Sequence, residues 1–450
     1  MINFDNIDRH SRLYAFLAPL IKSGFRSFYR SVTIVGEEHI PPKGTPCIVI
    51  ANHQNGLMDP MTQLLLFKDG RQPVFIARGD IFKRDFIARL LRFLKILPTF
   101  RTRDGDRNDV RRNNDIFLLA GEILKKGGTL MMYPEAQHQH GRYLGPFKKG
   151  FPRICFTAVE LSDYKLDLQV LPITIHYSTY EYRGGDLLAV VGEPITFREL
   201  YPAYQQEPNH AYHLLNDKVR THLQKMMIDI SDREHYRELD MLRLMVSEER
   251  LDKRDKNDFY QRFIEEKRVI DRLMALKDEN EAEYLKIIEE TRNYCDLLEQ
   301  EEFGDRELAN PPTWGRALWK DVLLTLSIPL FLFGLVHHFV PIWLTEWLTK
   351  KIKDRQLKSS IRFALPLLLS PLWYLILFLI LIFSLKSLFF TIFWLIAAAI
   401  SYKFLFYWLI GVKKLFKSYF YLLQRKSDQV THLKKLRKRI IDMVQSLLSC

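Results

Sequence analysis

Up to residue 204, apolar and polar positions fall into short blocks that switch between two periods. The runs over 33–35, 47–51, 74–77, 97–100, 128–133, 168–176 and 187–191 are largely apolar and bounded by Pro, Gly or charged residues, which predicts buried strands. Stretches over 84–94, 109–126 and 149–161 carry apolar residues at helical spacing and predict helices between them. Strands and helices alternating in this way predict an α/β domain over 31–204, a mixed sheet flanked by helices. Within 1–30, residues 8–30 read as an amphipathic helix, with Leu13, Phe16, Leu17, Leu20 and Phe25 on one side and Arg9, Arg12, Lys22, Arg26 and Arg30 around them. That pattern suits a membrane surface and suits packing on the next domain equally well.

The pattern then changes twice. Residues 205–310 are charge-rich, with apolar stripes such as Leu239, Leu242 and Met245, or Phe259, Phe263, Ile270 and Leu273, which predict long amphipathic helices in a structural role. From 311 to 450 the chain reads as a membrane region. Residues 363–385 and 387–410 are each apolar enough to span a bilayer and are separated by Lys386, which predicts a transmembrane helical hairpin over 363–410. Residues 322–348 are also apolar, but Pro329, Gly334, His337, His338 and Pro341 interrupt them.

The cations choose between topologies. Lys350, Lys351, Lys353, Arg355 and Lys358 form one basic loop, and the C-terminal tail from Lys413 to Arg439 is basic as well. Both belong on the cytoplasmic face of an integral membrane protein, together with its α/β domain. A single crossing by 322–348 would put them outside, so that segment is expected to be re-entrant, interfacial or kinked, returning to the side it left.

The formal charge of +13 and pI near 9.3 call for an acidic partner: nucleic acid, anionic lipid or a phosphorylated substrate. Because the basic residues cluster beside apolar spans, they favour a bilayer with anionic lipids and exclude nucleic acid as the reading. Cys47, Cys155, Cys295 and Cys450 stand far apart, which predicts neither a zinc site nor a disulfide framework and fits a reducing compartment. The polar, acidic first ten residues do not read as a signal peptide.

Candidate chemistry begins at the end of the 47–51 strand. Asn52 and His53 follow it, and Asp59-Pro60 reads as the N-cap and first position of a helix. A carboxylate bonded to one imidazole nitrogen leaves the other to take a proton from an attacking hydroxyl, so His53 with Asp59 suits a general base that needs no protein nucleophile. Arg101 and Arg103 stand at a strand end, where guanidinium groups fork onto phosphate oxygens. Tyr133-Pro134-Glu135 ends the next strand, with His138, Arg142, Lys148 and Lys149 close behind, and Val170-Leu171-Pro172-Ile173 lies further on.

In that order and spacing, residues 30–200 resemble the glycerophospholipid acyltransferase superfamily, close to the fungal-type glycerol-3-phosphate acyltransferase branch. The resemblance implies that His53 and Asp59 are catalytic. It also implies that Asn52, Arg101, Arg103, Glu135, Arg142, Lys148 and Lys149 bind substrate, Glu135 through an acceptor hydroxyl and the cations through a phosphate. The expected reaction moves a fatty acyl group from an acyl-CoA or acyl-carrier-protein thioester to glycerol-3-phosphate or lysophosphatidate, in phospholipid biosynthesis. No metal or resident cofactor is implied, and His138 and His140 beside Glu135 lack further ligands at metal spacing. Two features depart from the family: His53 and Asp59 are separated by five residues rather than four, and Ala136-Gln137-His138 stands where Gly-Thr-Arg is usual, which moves the expected phosphate contact toward Arg142 or Lys148. The competing class is a non-catalytic, lipid-binding or scaffolding relative; the altered third block favours it, and the intact Asn52, His53 and Asp59 favour the enzyme.

Overall fold

The computed structural model describes residues 4–100, 107–135, 137–252 and 254–449. They divide into two compact units, residues 1–181 with 185–227 and residues 182–184 with 228–450.

The first unit opens with α1 (Arg12–Phe28), whose N-terminus is capped by the Ser11 hydroxyl accepting from Tyr14 N–H, and β1 (Ser31–Val35). There follow β2 (Cys47–Ala51), α2 (Met58–Leu66), β3 (Val74–Arg78), α3 (Asp85–Phe93), β4 (Ile96–Thr99), α4 (Arg107–Lys125) and β5 (Thr129–Met132). Next come α5 (Gly150–Glu160), β6 (Gln169–Tyr177), β7 (Asp186–Val191), α6 (Tyr201–Gln206) and α7 (Pro208–Met226). Among the described residues the strands form one sheet in the order β1-β7-β6-β2-β5-β3-β4, parallel throughout except for the antiparallel β6–β7 pair. Every residue of β2 and β5 is buried, as expected of central parallel strands covered on both faces. Pro98, which cannot donate to a ladder, lies in the edge strand β4.

The sheet order positions the site. β2 lies between β5 and β6 with the three strands parallel, so the loops leaving their carboxyl ends emerge side by side. This unit also runs past residue 204. Ala211, Leu215, Val219 and Leu223 of α7 are buried in the same core as Ile48, Leu130 and Val170, so the helix joins the sheet domain rather than the charge-rich region to which the sequence pattern assigns it.

The second unit contains α8 (Tyr236–Arg250), α9 (Phe259–Glu279), α10 (Glu281–Leu298), α11 (Asp305–Ala309), α12 (Trp314–Leu326), α13 (Ile328–Lys350), α14 (Arg355–Leu385), α15 (Leu388–Gln424) and α16 (Asp428–Ser449). The amphipathic stripes of α8, α9 and α10 pack together, and a buried Arg243–Glu266 ion pair at 2.5 Å ties α8 to α9. The basic C-terminal segment is a helix of this bundle: α16 buries Val430, Leu433, Leu436, Ile440 and Val444 while Lys434, Lys435 and Lys438 stay exposed.

Helices α13, α14 and α15 are long and apolar enough to cross a membrane, and Lys386, at φ +51°, makes the turn between the last two. The apolar stretch 322–348 is divided, because its first residues finish α12 and a break at Ser327 precedes α13. In its first half α13 follows α15: Phe331 stacks on Trp408, Gly334 approaches Ser401, and the Trp394 indole donates to His337 Nε2 at 2.7 Å. In its second half it follows α14 back, ending at a Glu346–Arg362 ion pair of 2.8 Å. Both ends of α13 therefore lie by the open end of the hairpin and its middle lies nearer the Lys386 turn. Pro341 lies inside α13. It lacks the N–H that would bond the carbonyl four residues back, and that carbonyl, of His337, instead accepts from the Trp373 indole at 2.6 Å.

Candidate active site

His53 leaves the carboxyl end of β2 with 14% of its side chain exposed, while Asp59 is fully buried. His53 Nδ1 lies 2.8 Å from Asp59 Oδ2. The carboxylate can only accept, so Nδ1 carries the hydrogen and Nε2 is the basic nitrogen. Asp59 does not cap a helix as the sequence suggests: it stands in the first turn of α2 and points back into the preceding loop. There Oδ2 also accepts from Gln54 N–H and Asn55 N–H, each at 2.8 Å, and Oδ1 accepts from the Tyr177 hydroxyl at 2.6 Å. Four donors converge on this one buried carboxylate, which fixes the loop around it. Burial, then the charge of Asp59, hold the Tyr177 phenol well above its usual range, which keeps it a donor.

The imidazole is bounded on other sides by the loop after β5. The Tyr133 ring lies flat on it, with centroids 4.0 Å apart and planes 14° from parallel, and His138 meets it edge-on at 4.1 Å. That loop is pinned to the loop after β2 by Gln139 N–H donating to His53 O at 2.9 Å and by the Gln54 amide donating to Gly141 O at 3.1 Å.

Several residues that the resemblance assigns to substrate also hold the surrounding structure. The Asn52 amide donates to Ile175 O and accepts from Ile175 N–H at 3.0 and 2.7 Å, clamping the exit of β2 to β6. Glu135 accepts from His53 N–H through Oε1 at 2.9 Å and from Gly145 N–H through Oε2 at 2.6 Å, so both oxygens organise backbone. A side chain at position 145 would meet the Gln139 amide and come within 3.0 Å of Glu135 Oε2, so Gln139 would have to move to admit one. Burial pushes the Glu135 carboxyl up to about 7, against the pull of the two N–H groups. Arg142 is buried and donates to Tyr177 O at 2.9 Å, joining the loops after β5 and β6. Lys148 and Lys149 are exposed, the latter donating to the Asn209 side chain at 3.1 Å. Arg101 and Arg103 lie outside the described residues.

Two contributors are invisible to the sequence pattern. Tyr177 belongs to β6, and only the pairing of β6 with β2 brings its hydroxyl to Asp59. Arg220, on α7, donates to Gly145 O at 2.6 Å and Leu144 O at 3.1 Å and so holds the loop that Glu135 also holds. Its sequence signal, one cation on an amphipathic helix, is indistinguishable from a solvated surface residue.

Residues 31–176 match the family model described as Acyltransferase. The chain is 32% identical over 170 residues to the 1-acyl-sn-glycerol-3-phosphate acyltransferase BAT2, chloroplastic, of Brassica napus, a match covering 37% of this chain and 44% of that protein. It is 30% identical over 165 residues to the 1-acyl-sn-glycerol-3-phosphate acyltransferase LPAT1, chloroplastic, of Arabidopsis thaliana, covering 36% and 41%. The chain thus spans less than half the length of either relative. Among solved structures, the 1-acyl-sn-glycerophosphate acyltransferase PlsC from Thermotoga maritima aligns with 22% identity and a TM-score of 0.34, over 48% of this chain and 83% of that one.

Proposed function

Because residues 31–176 belong to the glycerophospholipid acyltransferase superfamily, we propose that this chain is a membrane-bound O-acyltransferase that esterifies the free hydroxyl of a 1-acylglycerol-3-phosphate. The observation that carries the reading is the His53–Asp59 pair, 2.8 Å apart, on a loop held rigid by the same carboxylate. His53 Nε2 takes the proton of the acceptor hydroxyl as its oxygen bonds to the thioester carbonyl carbon. Asp59 stabilises the imidazolium so formed. The tetrahedral intermediate collapses, the C–S bond breaks, and the imidazolium returns its proton to the departing thiolate. Arg101, Arg103, Lys148 and Lys149 are the cations we assign to the acceptor phosphate, since Arg142 is committed to a backbone carbonyl. Both curated relatives are named for a 1-acylated acceptor, which favours it over glycerol-3-phosphate. The donor is an acyl thioester of CoA or of a carrier protein.

The membrane helices complete the proposal. With both ends of α13 at the hairpin's open end, the basic loop around Lys351 and the exposed lysines of α16 share one side, which we take as cytoplasmic together with the acyltransferase unit. The test is mass spectrometry of products from the purified full chain, offered an acyl-CoA with lysophosphatidate, glycerol-3-phosphate or an uncharged lysolipid. Phosphatidate formation that is lost in His53→Ala is expected. Turnover surviving in His53→Ala would overturn the mechanism, and no product from any acceptor would favour the non-catalytic, lipid-binding class.

A further inference from the structure

The residue that most closely covers the imidazole has no polar role of its own. Tyr133 stands directly after β5, its ring stacked on His53 at 4.0 Å and 14°, and its hydroxyl is buried with no hydrogen-bond partner among the described residues. A buried phenol left unpaired is costly unless the ring is kept for another purpose. The charge on His53 changes during the proposed reaction, neutral before proton abstraction and cationic after it, and the face of an aromatic ring attracts a cation more than a neutral ring.

We propose that Tyr133 is a positioning residue whose π-face orients the His53 ring and stabilises its cationic form during acyl transfer. The inference rests on His53 being the general base. Among the described residues, the other titratable groups around the imidazole are Asp59 on α2, Tyr177 acting through Asp59, Glu135 at the His53 backbone N–H, and His138 at the ring edge. Each of these is polar or charged toward its neighbours, whereas Tyr133 alone offers a ring face parallel to the imidazole. The hydroxyl takes no part, so Tyr133→Phe preserves the device.

The experiment is a pH profile of kcat and kcat/KM for the full chain in lipid nanodiscs. Wild type is compared with Tyr133→Phe, with mono-, di- and trifluorinated phenylalanines at position 133, and with Tyr133→Leu. Fluorination drains the π-face with little change of shape, so it separates electrostatics from packing even where Tyr133→Leu folds poorly. Tyr133→Phe should stay within about twofold of wild type, since only an unpartnered hydroxyl is lost. A cation on an aromatic face is worth about 3- to 30-fold in the balance of neutral and charged forms. The acidic limb should therefore move to lower pH along the fluorine series, by about half a unit to one and a half units in all, with kcat falling in step and both KM values unchanged. Repeating the series on His138→Asn checks that the limb is not that of the second histidine; a limb that vanishes with His138 overturns the assignment. A limb fixed across the series, in an enzyme that His53→Ala has silenced, removes the Tyr133 role and leaves the function intact. Activity in His53→Ala removes both.

Discussion

Replacing Asp59 by Asn keeps the side chain's size and removes its charge. The amide oxygen can still face His53 Nδ1, Gln54 N–H and Asn55 N–H, each now 2.8 Å from Oδ2, while the amide nitrogen replaces the Oδ1 that accepts from Tyr177. Three charge-assisted bonds become neutral ones, at a cost of about 1 kcal/mol each, and the Tyr177 hydroxyl must turn to accept. Removing a fully buried charge offsets part of this, so the expected loss of stability is only about 1 to 3 kcal/mol. The catalytic loss is larger, because an amide cannot stabilise the imidazolium; about 100- to 10,000-fold in kcat is expected, with acceptor and donor KM little changed. Thiol release at saturating donor and acceptor measures it, beside a thermal unfolding scan. An Asn variant that keeps more than about a tenth of kcat would show that Asp59 only organises the loop.

The Glu135 carboxyl makes a second prediction, with a definite sign. Its value in the fold, about 7, lies above that of an exposed glutamate, about 4.3, so the folded state holds the proton more tightly. The associated stability is complete below about 4.3 and is lost as pH rises through about 7, by at most about 4 kcal/mol. Denaturation profiles of wild type minus Glu135→Gln should show this slope, and parallel profiles would contradict it. A third prediction concerns topology: in sealed vesicles, Lys351→Cys and Lys435→Cys should react with an impermeant maleimide from the same side and Lys386→Cys from the other. Labelling of the first two from opposite sides would mean that α14 and α15 do not both cross the bilayer, which would remove the hairpin.

Local pattern alone predicted the strands of the first unit, the helices between them and the hairpin around Lys386. Strand burial and helix amphipathicity are written in the spacing of apolar residues, and a long uncharged run has few soluble alternatives. His53 and Asp59 were legible as a pair for the same reason: they share one short loop, so proximity in sequence ensures proximity in space. Where a side chain's partner is a distant backbone group, the sequence was silent. The family resemblance assigns Asn52, Glu135 and Arg142 to substrate, and the structure adds partners for them, Ile175, the His53 and Gly145 amides, and Tyr177, which only the sheet order brings near. Tyr177 and Arg220 entered the site in the same way, through strand pairing and through α7 docking. Pro341, inside the apolar segment 322–348, leaves the His337 carbonyl without its helical N–H, and the Trp373 indole takes that place. A missing N–H is visible in a sequence; the group that replaces it is a tertiary fact.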